Sequence, residues 1–344
     1  MKNFWKKLNK PIYALAPMAG ATDSAFRQIC KRFGADVVYS EMISAAGLVY
    51  NSKKTLELMR FDKKERPYVI QLFGSKPEHF ATAAKIVEKE IKPDGLDINF
   101  GCPVKKVAKQ GAGAVLMNNL KLSREIIKAV LANTDLPVSV KCRSQVGQTT
   151  VLDFLKTIKD LPIAAVMIHG RSLAQAHSGE INFKIIKQAR EFFNGIILAN
   201  GGVKDKISAE EMLNKTGADG VGIGQGALGR PWIFEQLKIT NYQLRIKNAE
   251  QKSASKIFKI ILKHAKLAEK LKGREGIIEM RKHLCWYVSG LENASELRKG
   301  LVKVGSLKDI KSVISSVSLP AGRQARNCVK VKNLSIRDFS LRSK

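Results

Sequence analysis

Neither a disulfide framework nor a structural metal can be read in this sequence. Its five cysteines, at positions 30, 102, 142, 285 and 328, are odd in number, and none falls in a CxxC or other metal-type spacing. We therefore expect a reducing, cytoplasmic setting and no bound metal. Long apolar runs are missing too: nothing approaches the ~18 to 20 residues that a membrane span requires. The opening stretch MKNFWKKLNKPIYALAPMAG contains Pro11 and Pro17 and offers no small-residue cleavage site, so we expect it to be retained. Acidic residues are scarce. Thirty Asp and Glu stand against sixty Lys and Arg, a net charge of +30. That excess repels itself in a compact state and attracts polyanions, which makes nucleic acid the leading partner class, although a general basic bias would give the same number.

What is present is a repeating pattern. From residue 12 to about 237, eight short apolar runs (IYALAPM, VVYSEM, YVIQLFG, GLDINFG, PVSVKCR, AVMIHG, GIILANGG and GVGIG) alternate with amphipathic segments such as 77–91, 123–133, 151–159, 183–193 and 205–215. Strands that are apolar throughout are buried on both faces, as in a parallel sheet covered by helices. Eight such units without a GxGxxG after the first strand predict an α/β fold, a closed (β/α)8 TIM barrel rather than an open sheet. Chemistry in that fold sits at the carboxyl ends of the strands. Those ends carry Pro17-Met18-Ala19, Glu41, Gln71, Asn99 with Cys102, Lys141 with Arg143, His169 with Arg171, Asn200-Gly201-Gly202 and Gly224-Gln225-Gly226.

Beyond Trp232 the strand signals stop and helical periodicity takes over. We divide the chain into a catalytic barrel over 1–245, a smaller all-α domain over 250–319, and a basic, flexible tail over 320–344. In the first helix of the second domain Lys252, Lys256, Lys259, Lys263, Lys266 and Lys270 recur in steps of four and three and share one face. Ile257, Ile260, Ile261, Ala265, Leu267, Ala268 and Leu271 are left for packing. Residues 251–344 hold 22 Lys and Arg against 7 Asp and Glu, which is half of the net charge. An ordered basic face suits a nucleic-acid backbone; a solvated helix face is the plainer reading.

The glycine-rich turns after the seventh and eighth strands stand where barrels hold phosphate with backbone N–H groups, and two adjacent loops favour a phosphorylated cofactor over simple tight turns. Lys141 at the mouth could hold an anionic ring, form a Schiff base, or pair with a carboxylate. Gln71 offers the donor and acceptor needed to read a ring edge. Together these suit an isoalloxazine. His169 alone could be a satisfied core histidine, but it ends a strand beside two arginines. Cys142 alternates with Lys141 and should face away from the axis. Cys102 differs from the other cysteines because it lies past a strand end, on a loop shaped by Gly101 and Pro103.

The blocks APMAGATDSAFR, DINFGCPVKKV, GAGAVLMNN, VKCR, IHGRSLAQAHSGEINF, ANGG, GADGVGIGQGALGRPWIF and MRKHLCWYVSGLENASELRKGL resemble, in order and spacing, the bacterial tRNA-dihydrouridine synthases over about residues 11 to 315. The resemblance implies an FMN enzyme that reduces the 5,6 double bond of specific tRNA uridines in the D-loop, recharged by NADPH. It implies that Cys102 is the general acid for carbon 5; a thiol with a pKa near ~8.5 is protonated at neutral pH. It assigns Pro17, Met18 and Ala19 to the flavin ring, Gln71 to its pyrimidine edge and Lys141 to nitrogen 1. His169 falls near flavin and substrate. Asn200, Gly201, Gly202, Gly224 and Gln225 fall on the phosphate and ribityl groups, and Asn99, Arg143 and Arg171 on the uracil. The sequence departs from the family at Gly202, where an acidic residue is common, at Gln225, where arginine is common, and in KCRSQVG. Losing that arginine removes a charge-assisted contact worth about 1.5–3 kcal/mol. A weak or silent tRNA-binding relative, an FMN-dependent reductase of a free pyrimidine, and a Schiff-base aldolase are the rival readings. A monomer is favoured.

Overall fold

In the computed structural model, which describes residues 3–239 and 253–316, ten short strands form in chain order. Eight close into a parallel barrel: β1 (Ile12–Leu15), β2 (Val37–Ser44), β3 (Tyr68–Phe73), β4 (Gly95–Phe100), β5 (Val138–Arg143), β8 (Ala165–His169), β9 (Ile196–Asn200) and β10 (Gly220–Ile223). The ring closes where β10 pairs with β1, Ile12 opposite Gly220 and Leu15 opposite Ile223. The remaining pair, β6 (Gln145–Val146) and β7 (Thr149–Thr150), is a small antiparallel hairpin in the loop after β5.

Alternation along the strands divides the side chains into two cores. One set points outward and packs under the surrounding helices; Leu15, Val38, Ile70, Ile98, Val140, Cys142 and Ile168 belong to it. Cys142 thus faces away from the axis, as its alternation with Lys141 predicts, and burial pushes its thiol up to about 12. The other set fills the lumen: Ile12, Ala14, Val37, Tyr39, Val69, Ala165, Met167 and Leu198, closed by Trp5 from the turn Phe4–Lys7. The lower barrel is thus apolar and solid, and the polar inward residues sit above it.

Residues 253–316 are helical throughout their ordered elements, which are Ala254–Tyr287, Ala294–Leu301 and Leu307–Ser316. The first is two helices joined across a break at Gly273, whose φ of 58° and ψ of −140° lie outside helical geometry. Their core continues into the barrel layer, because Ala25 and Ile29 of the helix Ser24–Arg32 and Trp232 pack in one cluster with Ile257, Ile261, Leu284 and Tyr287. Lys256, Lys259, Lys263, Lys266 and Lys270 are all exposed, opposite the buried Ile257, Ile260, Ile261, Ala265 and Ala268. Leu271, expected to pack, is instead 45% exposed; it lies two residues before the break, where the helix leaves its partners. Lys252 and the 320–344 tail fall outside the described residues.

Candidate active site at the carboxyl end of the barrel

The strand register gathers the polar inward residues into one patch. Gln71 lies opposite Asp97, Asp97 opposite Ser139 and Asn99 opposite Lys141. Arg143 lies opposite His169, His169 opposite Asn200 and Asn200 opposite Gly222. Gln71, His169 and Asn200 follow the lumen residues Val69, Met167 and Leu198 by one alternation, and Asn99, Lys141 and Arg143 stand higher, above Asp97 and Ser139. The mouth is therefore polar because the inward residues above the apolar layer are polar on β3, β4, β5, β8 and β9.

Asp97 anchors a chain of hydrogen bonds that runs upward to the loop after β4. Ser139 Oγ donates to Asp97 Oδ1 at 2.6 Å, and Gln71 Nε2 donates to Asp97 Oδ2 at 2.7 Å. Asn99 Nδ2 donates to Gln71 Oε1 at 2.8 Å, while Asn99 Oδ1 accepts the N–H groups of Gly101 at 3.0 Å and Cys102 at 2.9 Å. Burial raises the Asp97 carboxyl to about 6, opposed by the hydrogen bonds from Ser139 and Gln71 and by Lys141. Sequence reasoning missed Asp97. Its signal was a carboxylate two places before Asn99 in an otherwise apolar strand, and hence on the same face.

Cys102 is half-buried on that loop. The segment GAGAVLMNN lies against it: Ala114 N–H donates to the Cys102 carbonyl at 3.1 Å, and a Cβ at Gly113 would come within 3.0 Å of Cys102 Cβ. Glycine is required there twice over, since φ is +72°. Burial pushes the thiol up, against the Val104 backbone, Lys141 and Arg143, all of which favour the thiolate.

The Lys141 ammonium makes no hydrogen bond and no ion pair among the described residues. Burial, and then Arg143, lower its ammonium to about 8. Arg143 is 1% exposed and braces two loops: Nε donates to the Gly101 carbonyl at 3.0 Å, and Nη1 to Ser172 O at 2.9 Å and Ala176 O at 2.8 Å. Burial brings this guanidinium down to about 10. Asn99 and Arg143, which the sequence assigns to the uracil, thus both hold the Cys102 loop. Arg171 Nε donates to Gly179 O at 2.8 Å in the loop after β8. That loop also brings His177, unforeseen in the sequence, to 5.9 Å between ring centroids from His169. Burial, reinforced by Lys141, Arg143, His177 and Arg171, drives His169 down to about 2, so its imidazole is neutral.

On the far side of the mouth Asn200 Nδ2 donates to Gly222 O at 2.7 Å. A Cβ at Gly201 would meet the His169 ring at 2.6 Å, and one at Gly226 would meet the Val203 carbonyl at 2.2 Å. The turns after β9 and β10 therefore touch, with Gly202, Gly224 and the short turn Gln225–Ala227 at their junction and Gln225 and Arg230 exposed. Pro17, Met18 and Ala19 follow β1 beside them, and a Cβ at Gly224 would lie 3.4 Å from Met18 Sδ. Among the described residues there is no cluster of metal-ligating side chains and no helix long and apolar enough to cross a membrane.

Residues 14–318 match the family model described as dihydrouridine synthase. The tRNA-dihydrouridine synthase B of Pseudomonas syringae pv. tomato is 34% identical over 287 residues, covering 83% of this chain and 84% of that protein. A probable tRNA-dihydrouridine synthase of Rickettsia conorii is 36% identical over 293 residues, covering 83% and 86%. Among solved structures, histamine dehydrogenase from Rhizobium sp. 4-9 superposes with a TM-score of 0.54 at 11% identity, covering 74% of this chain and 48% of that one, a likeness of fold alone.

Proposed function

Because this chain belongs to the dihydrouridine synthase family, we propose that its barrel mouth reduces the 5,6 double bond of D-loop uridines in tRNA, with FMN as resident cofactor and NADPH as the reductant that recharges it. The donor set supports FMN. Lys141 is a half-buried ammonium with no side-chain hydrogen bond or ion pair among the described residues, suited to an anionic ring, and Gln71, two strands away, is held in one orientation. The turns after β9 and β10 meet so closely that a Cβ at Gly226 would strike the Val203 carbonyl, and glycine-rich turns at this place suit a phosphate held by backbone N–H groups. When bound and reduced, FMN supplies a hydride to carbon 6 of the uracil.

The chain's own residues do the rest. Carbon 5 becomes enolate-like as carbon 6 accepts the hydride, and the Cys102 Sγ–H bond breaks to give carbon 5 its proton. The thiolate left behind is stabilised by Lys141 and Arg143 and regains a proton from water. Asn99 and Arg143 keep the Cys102 loop at the height of the base, and Arg171 lies on the rim for the uracil carbonyls. A uridine inside folded RNA must be extruded to reach the mouth, and backbone contacts elsewhere offset that cost. The exposed stripe Lys256, Lys259, Lys263, Lys266 and Lys270 supplies them. On this reading residues 1–245 carry out the chemistry, residues 250–319 grip the RNA, and the enzyme works as a cytoplasmic monomer.

One observation carries the reading: the half-buried Cys102, past the end of β4, shares the barrel mouth with the ammonium of Lys141, which acts on its thiol. The test incubates the yellow holoprotein with NADPH and tRNA from cells lacking dihydrouridine, beside Cys102→Ala. The parent is expected to form dihydrouridine, and the variant to bind tRNA and form almost none. A colourless parent, or equal product from both proteins, overturns the assignment. Turnover of free uracil but not tRNA would favour a small-pyrimidine reductase, and tRNA binding without turnover a silent relative.

A further inference from the structure

The hydrogen bonds beneath Cys102 all point the same way. The N–H groups of Gly101 and Cys102 donate to Asn99, Asn99 donates to Gln71, and Gln71 donates to Asp97. The two ends admit no other sense, since backbone N–H groups only donate and a carboxylate only accepts. An amide between them is reversible in principle, because its oxygen and nitrogen have the same shape. With both ends fixed, neither Gln71 nor Asn99 can flip without setting two acceptors or two donors face to face in a buried site.

We propose that Asp97 is a positioning residue for Cys102: its acceptor oxygen sets the direction of the Gln71 and Asn99 amides, and through them anchors the loop that carries the thiol. Asp97 is fully buried and lies two alternations below that loop, so it acts only through the intervening amides. What the chain needs at position 97 is an acceptor rather than a charge. Ser139 allows for this, because its hydroxyl donates to Asp97 Oδ1 at 2.6 Å and also lies 3.3 Å from the Leu96 carbonyl. If position 97 became a donor towards Ser139, that hydroxyl could turn to Leu96 while the oxygen facing Gln71 stayed in place.

The proposal rests on the reading of Cys102 as the proton donor only for its importance; the test reads the thiol directly. Alkylation of Cys102 by iodoacetamide, followed by mass spectrometry of the folded protein, reports how firmly the loop is held. Asp97→Leu removes the acceptor and should speed alkylation by about tenfold, as expected when two anchored N–H groups are released. Asp97→Asn keeps an oxygen for Gln71 and should stay within about threefold of the parent on the same scale.

A swap decides the matter even if Asp97→Leu does not fold. In Asn99→Asp the new carboxylate still accepts from the loop but cannot donate to Gln71. Whichever way Gln71 turns, its oxygen then faces a carboxylate oxygen at position 97 or 99, so alkylation should rise. Adding Asp97→Asn supplies the missing N–H and should return the rate towards the parent value. A residue that merely fills space would make the double variant no better than Asn99→Asp, and that result, or an unchanged rate in Asn99→Asp itself, overturns the proposal. Dihydrouridine formation by the parent is measured separately, so loss of the enzymatic reading and loss of this one remain distinguishable.

Discussion

Arg143 ties Gly101 to the neighbouring loop: its Nε lies 3.0 Å from the Gly101 carbonyl while its Nη1 reaches Ser172 and Ala176 in the loop after β8. One guanidinium thus joins the loop bearing the thiol to the loop bearing His177. Arg143→Leu leaves three part-buried carbonyls without this donor and should cost about 1–3 kcal/mol of stability, the scale of one fully buried unsatisfied group, because water can reach part of the site. Arg143→Lys, with one ammonium for three acceptors, should fall in between. Urea denaturation measures both, and a cost below about 1 kcal/mol for Arg143→Leu, the scale of one ordinary hydrogen bond, would remove the bracing role.

On the proposed reading, Lys141 sets a pH limit on cofactor binding. Its ammonium is lowered to about 8, so the charge is present below that pH and is lost as pH rises through it. Nitrogen 1 of the oxidised ring accepts a stronger hydrogen bond from the ammonium than from the neutral amine, so binding drags the midpoint upward. Affinity of the stripped protein for FMN, followed by quenching of flavin fluorescence, should fall roughly tenfold between pH 7 and 9, as one titrating group allows. In Lys141→Met the affinity should be lower throughout and flat over that range. A slope retained in the variant would assign the effect to another group.

The junction of the two glycine turns has no room for a methyl group. Gly226→Ala places a Cβ 2.2 Å from the Val203 carbonyl, so one turn must move. Overpacking of this kind costs about 1–3 kcal/mol. We expect a modest loss of melting temperature and a much larger loss of FMN retention through gel filtration. Retention equal to the parent's would place the phosphate elsewhere.

The lysine stripe should govern the salt dependence of RNA binding. Lys259, Lys263 and Lys266 are exposed on one face, and reversing all three to Glu removes up to three phosphate contacts. The slope of log affinity against log salt should then flatten by about two to three, at roughly 0.7–0.9 per contact. Filter binding of tRNA across a salt series gives the number. The same slope in both proteins would leave the stripe as a solvated helix face.

The barrel was legible because parallel strands buried on both faces carry a signal in each run, and because inward and outward residues alternate. Cys142 could be turned away from the axis on that ground alone. The strand ends could be named for the same reason, but what they touch could not. Asn99 and Arg143 look like substrate ligands when read singly; their hydrogen bonds to the Cys102 loop depend on the register between β4 and β5 and on where the loop after β8 returns. Asp97 was overlooked because its partners, Gln71 and Ser139, come from two other strands. Leu271 followed the helical period, and the period ends at Gly273.

The helix Ser24–Arg32 shares one core with the helical region, and a Cβ at Gly20, in the first loop of the barrel mouth, would lie 3.4 Å from Lys282 Nζ. The two parts thus share one continuous core. On the proposed reading, the stripe that meets phosphates on one part and the thiol in the other stand at a set span, like the jaws of a caliper. Which nucleotide arrives at the sulfur would then be decided by how far it lies along the folded RNA from the gripped backbone, so lengthening or shortening the polynucleotide between those two points should redirect the enzyme where altering neighbouring letters would not.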